Sequence, residues 1–315
     1  MLACVFSGQG SQYPGMGRQI CAGHENARLV YEEAADILGC DLLSLSGDQL
    51  TLTRYIQPSV VTLSLAVWRA FVSAVNDQGG PGLPVSSCRF AGFSLGEYSA
   101  LGAAGILDFA SLLGLVRERA RLMQEAAEQK PGAMYAILGL TDDQIMAVLE
   151  QPAYQSRIFA ANFNAPGQLV ISGEEAAAAD CARVLQLAGA RRTIRLNVNG
   201  AFHTPLMADA ARALSHYASG LTFHATEGRI YGNPDGRCLT GPTNWPEHLA
   251  VQMASPVRWV DEVLCLSHDG ASRFVEFGPG KVLCGLIRKI IPAAAVWPVE
   301  DNDSLAAVLA ALKPS

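Results

Sequence analysis

The sequence predicts an α/β fold: a large domain on a mostly parallel sheet with helices on both sides, and a small β-α-β-β-α-β domain inserted into it. Three observations point there. The apolar strand patterns Leu2–Phe6, Cys88–Gly92 and Arg273–Phe277 each run into a glycine-bearing loop, with helical patterns downstream. The pattern changes at Pro131-Gly132, where six short elements alternate. The chain has 315 residues, 50% of them hydrophobic, enough for one large core and a second smaller one. The expected division is 1–130 with 197–315 for the large domain and 131–196 for the small one.

The elements follow in order. Leu2–Phe6 reads as a buried strand entering Ser7-Gly8-Gln9-Gly10-Ser11-Gln12-Tyr13-Pro14-Gly15. This loop is either a tight turn or a loop whose backbone approaches a ligand, with Gln9 contributing polar groups. Dinucleotide-binding spacing fails because Tyr13 stands where the third glycine belongs. Residues 18–50 alternate helical patterns and turns. Residues 53–73 carry a long apolar helical pattern in which Gln57-Pro58 marks the first turn. Residues 111–130 form another helix. Its Arg117, Arg119 and Arg121 alternate, so they cannot share one face, and two of the three are expected to be solvated. In the small domain, 134–138, 158–162, 169–172 and 191–196 read as strands, and Asp142–Leu149 and 174–187 as helices. That order is ferredoxin-like. In the last third, strand Arg273–Phe277, turn Gly278-Pro279-Gly280-Lys281 and helix Val282–Ile290 complete the pattern.

Composition excludes several functions. The formal net charge is −6, which disfavours bulk attraction to nucleic acid or an anionic membrane. The eight cysteines are scattered with no C-x-x-C pair, so they read as reduced, buried thiols of a cytoplasmic protein. Nothing resembles a zinc-ligand cluster, and no metal is expected. The N-terminus is too short and uncharged for a signal peptide, and no unbroken apolar run reaches membrane-spanning length.

The chemistry gathers at Gly92-Phe93-Ser94-Leu95-Gly96-Glu97-Tyr98, a Gly-x-Ser-x-Gly between strand and helix. A serine at such a turn sits on a crowded backbone, so its neighbours two before and two after must be glycine or nearly so. The turn makes the large domain α/β-hydrolase-like. It exposes the hydroxyl and leaves the Leu95 N–H at a helix N-terminus as an oxyanion donor. The idle reading is a glycine-lined turn. An activated serine needs a base, and of six histidines His203 holds the most loop-like, glycine-preceded position. His24, His216, His224, His248 and His268 read as surface or packing residues. An ordinary α/β-hydrolase is disfavoured, because its histidine follows an acid late in the chain and its HGGG-type loop is missing here.

The motifs together resemble the malonyl-CoA:acyl-carrier-protein transacylases over nearly the whole chain. The resemblance rests on Gly8-Gln9-Gly10-Ser11-Gln12, Gln57-Pro58, Gly92 to Tyr98, Arg119, Met123-Gln124, Asn162 to Gln168, Phe202-His203, Gln252 with Pro256-Val257, and Gly278 to Lys281. It implies that Ser94 takes a malonyl group from coenzyme A as an ester, with His203 as base. It implies an oxyanion hole of the Leu95 and Gln9 N–H groups, and Arg119 as the anchor of the malonyl carboxylate. Gln252 matches the position near the backbone carbonyl that orients the histidine, and Asn162 lines the cleft. No permanently bound cofactor is implied; malonyl-CoA is the donor substrate. The implied acceptor is the phosphopantetheine thiol of an acyl carrier protein, docked on a basic rim of Arg191, Arg192, Lys281, Arg288 and Lys289. The bland alternative for that rim is scattered solubilising charge.

Two residues depart from the family pattern. Phe93 stands where histidine is usual, with its side chain expected to point away from the reacting carbon. Ser7 replaces the usual proline, which is expected to loosen the loop carrying Gln9. Phe202 before the histidine and Leu95 after the serine go with malonyl over methylmalonyl in related polyketide acyltransferases. The competing readings are an acyl-thioester hydrolase, a malonyltransferase subunit of a malonate decarboxylase complex, and a non-catalytic subunit of a synthase.

Overall fold

The computed structural model describes residues 1–77 and 82–313. In chain order the first elements are β1 (Leu2–Phe6), α1 (Arg18–Gly23), α2 (Glu25–Leu38), α3 (Thr53–Asn76), β2 (Cys88–Gly92), α4 (Leu95–Ala103) and α5 (Phe109–Gln129). Then come β3 (Gly132–Leu138), α6 (Asp142–Leu149), β4 (Ile158–Ala165), β5 (Gln168–Glu174), α7 (Glu175–Leu187) and β6 (Arg192–Arg195). The chain continues with α8 (Ala208–Ala218), β7 (Arg229–Gly232), β8 (Arg237–Cys238), α9 (Trp245–Ala254), α10 (Trp259–His268), β9 (Arg273–Phe277), α11 (Val282–Ile290), β10 (Ala295–Val299) and α12 (Asn302–Leu312).

The main sheet has the strand order β10-β9-β1-β2-β7-β8. β1 pairs in parallel with both β2 and β9, β10 with β9, and β7 with β2; β8 returns antiparallel on β7. Every residue of β1 and β2 is buried. That explains their continuous apolar runs, since helices cover both faces of a parallel sheet. The fold class read from the sequence holds.

β3 to β6 form a separate antiparallel sheet in the order β4-β5-β3-β6. α6 and α7 pack against it through Ile145, Val148, Ala178 and Leu185, which meet Ile137 and Ile171 of the strands. Order and pairing are ferredoxin-like. β4 is tied to the α9–α10 connection: the Val257 N–H donates to Ala161 O at 2.8 Å, and the Phe163 N–H to Val257 O at 2.9 Å.

α3 is the central helix of the main core. Its 18-residue most apolar window has a mean hydropathy of 1.5, and 72% of that window is buried within the fold. By length and composition it could cross a membrane, but here it packs Trp68 against Phe277 (ring centroids 5.2 Å apart) and Phe90 (5.6 Å). The proline reading needs a correction. α3 starts at Thr53, so Pro58 lies inside the helix, in the second turn. Its missing N–H frees the carbonyl of Arg54, which sits on the exposed side.

β2 turns into α4 at very close quarters. A Cβ on Gly96 would lie 2.0 Å from the Phe6 carbonyl oxygen, and one on Gly92 would lie 2.0 Å from the Gly96 carbonyl carbon. Both obstacles are backbone, so neither can swing aside. Gly96→Ala is therefore expected to destabilise the fold by at least about 3 kcal/mol in urea unfolding. Gly39→Ala is the control: its φ is 70° but the space around it is open. It should cost only about 1–2 kcal/mol, the strain of a left-handed residue. Equal losses would contradict this account of the turn.

Candidate active site

Ser94 joins β2 to α4 with φ 53° and ψ −103°, outside the regions an L-residue adopts freely. Its Oγ lies 2.6 Å from His203 Nε2. His203 also has positive φ, 59°, and is 5% exposed. Its Nδ1 lies 3.2 Å from both Gln252 O and Ser255 O. Carbonyl oxygens only accept, so the proton sits on Nδ1 and Nε2 offers its lone pair to the serine hydroxyl. Two main-chain carbonyls, rather than a carboxylate, orient this imidazole.

Burial above all, and then the charge of Arg119, lower the His203 pKa to about 4, against the two carbonyl bonds that raise it. The ring is therefore neutral at pH 7 and can take a proton.

Arg119 projects from the middle of α5 and is 1% exposed, whereas Arg117 and Arg121 are solvated. The alternation read in the sequence thus resolves to one buried arginine. Its Nη1 donates to Gln57 Oε1 at 2.8 Å and its Nη2 to Ser94 Oγ at 3.2 Å. Gln57 Nε2 in turn donates to Met123 Sδ at 3.4 Å, which fixes the amide orientation. Tyr98 presents its ring 5.0 Å from the guanidinium carbon. Arg119 Nε is buried without a hydrogen-bond partner. Among the described residues, no carboxylate pairs with this cation.

These groups face a cleft of about 340 Å³. Gln9, Leu95, Arg119, Phe202 and His203 line it from the large part of the chain, and Asn162 and Met134 from the small sheet. Gln252 lies behind it: its carbonyl holds His203 and its Nε2 donates to Ser94 O at 2.7 Å. The residues chosen from the sequence thus meet in one place. The Leu95 N–H opens α4, where the helix itself gives it no acceptor.

The two departures behave differently. Phe93 packs edge-on against Trp259, with ring centroids 5.7 Å apart, and also borders the cleft. Ser7 overturns its expectation. It is buried, its N–H donates to Phe277 O at 3.1 Å, and its Oγ donates to Glu276 Oε1 at 3.1 Å. The Glu276 carboxyl also accepts the Leu283 and Cys284 N–H groups at the start of α11. The serine therefore anchors the loop. Of the basic rim, all five residues are exposed. Arg288 is bonded to Val296 O and Lys289 to Gln168 Oε1.

Sequence reasoning misses the polar groups beneath the serine. Asn233 is fully buried and accepts the Ser94 N–H at 2.7 Å. His248, read as a surface or packing residue, is bonded through Nε2 to the buried carboxylate Glu97. Burial pulls its pKa down, but Glu97 overrides that and holds it above the ordinary value. Neither residue carries a motif; only the packing of β7 and α9 brings them there.

Comparison with known proteins agrees with this geometry. Residues 3–298 match the family described as the acyl transferase domain. The chain is 36% identical over 311 residues to the malonyl CoA-acyl carrier protein transacylase of Escherichia coli K12, covering 98% of each. It superposes on the crystal structure of malonyl-CoA:acyl carrier protein transacylase from Xanthomonas oryzae with a TM-score of 0.89 and 39% identity, covering 98% of both chains. It also superposes, with a TM-score of 0.90 and 34% identity over 98% of this chain and 99% of that one, on a structure described as a type II PKS acyl-carrier protein in complex with its malonyl-transacylase.

Titration of the His203 imidazole by NMR is expected to give a pKa of about 4. Arg119→Gln removes a positive neighbour and should raise it. Because the folded value lies below the unfolded one, this group costs the fold stability as pH falls from about 6.5 toward the folded value. An imidazole that titrates at its ordinary value in both proteins contradicts the electrostatic account.

Proposed function

This chain belongs to the acyl transferase domain family, and we propose that Ser94, His203 and Arg119 carry its reaction. It is an acyl-carrier-protein S-malonyltransferase, moving a malonyl group from coenzyme A to an acyl carrier protein. We assign 131–196 as its small domain and the rest as the large one, and place it in the cytoplasm. Malonyl-CoA is the donor, and the carrier protein's phosphopantetheine thiol is the acceptor.

The proposed reaction has two halves. His203 Nε2 takes the Ser94 hydroxyl proton as Oγ attacks the thioester carbonyl. The Leu95 and Gln9 N–H groups receive the oxyanion. Collapse breaks the C–S bond, and the imidazolium returns the proton to the departing thiolate. The carrier thiol then gives its proton to His203 and attacks the ester carbonyl. The second tetrahedral species expels Ser94 Oγ, which takes the proton back.

One observation carries the substrate assignment: a buried guanidinium without a carboxylate partner among the described residues stands 3.2 Å from the nucleophile. A malonyl ester places its free carboxylate two carbons beyond the reacting carbonyl, within reach of that guanidinium. At 4 Å and a dielectric of about 20, the attraction is worth about 4 kcal/mol. An acetyl group supplies none of it and leaves the cation buried alone. Phe202, buried beside His203, crowds the position a branching methyl would take. That contact is worth about 1–3 kcal/mol.

Intact mass after brief mixing with malonyl-CoA should show a malonyl adduct on the wild type and none on Ser94→Ala. Arg119→Ala should slow malonyl loading by about a hundredfold or more, while its loading from acetyl-CoA rises relative to malonyl. Phe202→Ser should raise methylmalonyl loading relative to malonyl by about tenfold. Free coenzyme A accumulating without any adduct would instead show a hydrolase.

A further inference from the structure

Beneath the serine turn lies a polar cluster that the transfer steps do not use. Asn233 follows β7, and its side-chain amide meets both ends of the turn. Oδ1 accepts the Ser94 N–H at 2.7 Å, and Nδ2 donates to Gly92 O at 2.7 Å. These partners fix the amide orientation, because an N–H can only donate and a carbonyl can only accept. Nδ2 also donates to Glu262 Oε2 at 2.8 Å. The Asn233 main-chain N–H donates to Glu97 Oε2 at 3.0 Å. The other Glu97 oxygen is bonded to His248 Nε2.

Glu97 belongs to α4, so Asn233 is clamped to the helix that the serine begins. Glu262 comes from α10 and is fully buried. Burial above all, then the neighbouring Glu97 charge, raise its pKa well above its ordinary value. Gln252 Nε2 completes the set, reaching Ser94 O at 2.7 Å and Asn233 Oδ1 at 3.3 Å. Both main-chain polar groups of Ser94 therefore meet side chains from outside the turn, and its carbonyl also accepts the Glu97 N–H at 3.1 Å.

We propose that Asn233 is the positioning residue of the serine turn. It holds Ser94 in its positive-φ conformation, so that Oγ faces His203 and the Leu95 N–H faces the cleft. The Glu97–His248 pair and Glu262 hold Asn233 in turn. A residue in a sparsely populated backbone state keeps it only where surrounding contacts over-determine it. Here a single buried amide spans from Gly92 to Ser94 and fixes the width of the turn. Without it, the Ser94 N–H and Gly92 O lose their partners, and the turn can relax toward a commoner conformation. This inference rests on Ser94 being the acylated nucleophile.

The test is single-turnover formation of the malonyl-enzyme, with rates normalised to the serines that load at completion. Normalisation removes any loss that is only unfolding. Asn233→Ala should load about 10- to 100-fold more slowly, with the half-saturating malonyl-CoA concentration unchanged, since the nucleophile is misplaced while the Arg119 cleft is intact.

Asn233→Asp supplies a readout that a merely structural role would not move. Protonated, the introduced carboxyl keeps an acceptor for the Ser94 N–H and a donor for Gly92 O. Ionised, it has no donor and faces Glu97 and Glu262, with His248 beyond Glu97 and with His203 and Arg119 on the Ser94 side. The loading rate of this variant should therefore rise as pH is lowered from about 8 to about 6, a range in which wild type stays nearly flat. If Asn233→Ala is insoluble, this pH series decides alone. Wild-type loading rates in Asn233→Ala, a loss confined to half-saturation, or a flat Asn233→Asp profile would each overturn the positioning role. A wild type that never acquires a malonyl group would refute the transfer reading, and this inference with it.

Discussion

The backbone of Ser94, at φ 53° and ψ −103°, is the constraint on which the site depends. It throws the hydroxyl out of the sheet toward His203 and starts α4 one residue later, so the Leu95 N–H comes free beside it. The same geometry dictates residues that do no chemistry. Gly92 and Gly96 lie against each other and against the Phe6 backbone, with no room for a methyl group. β1 and β2 must lie side by side for this contact, and both are completely buried. The turn is thus a product of the central sheet, and the cost of its strain is spread over a large core.

Electrostatics divide the work around that turn. Above it, in the cleft, Arg119 is a cation without a counter-ion among the described residues. In the proposed reaction its charge does two things: it attracts the malonyl carboxylate, and in the free enzyme it helps keep His203 neutral. Below the turn His248 is paired with Glu97, while burial and the Glu97 charge raise the pKa of Glu262. Two carbonyls orient His203. Neither adds a charge beside Ser94, which suits the anionic acyl group of the proposed reaction.

What the sequence shows is what local pattern can encode. Strand, glycine turn and helix succeed each other around Ser94 within twenty residues, so the turn and its proposed nucleophile are legible. The small sheet is legible because its strands alternate with two well-spaced helices. Helical geometry keeps the three arginines off one face, the resemblance singles out Arg119, and the fold buries that one. Asn233 is not legible. It stands 139 positions from Ser94, after a strand of four residues, and only the pairing of β7 with β2 carries it under the turn. His248 stays hidden for the same reason. Ser7 misleads because a missing proline suggests freedom, whereas the hydroxyl satisfies a buried carboxyl from β9.

The central claim is that Arg119 holds the acyl group carried by Ser94. The crystal structure of the malonyl-loaded enzyme tests that directly. The free carboxylate is expected within hydrogen-bonding distance of both terminal Arg119 nitrogens, with the ester carbonyl oxygen facing the Leu95 and Gln9 N–H groups. A carboxylate pointing to solvent, with Arg119 still bonded only to Gln57 and Ser94, would contradict it.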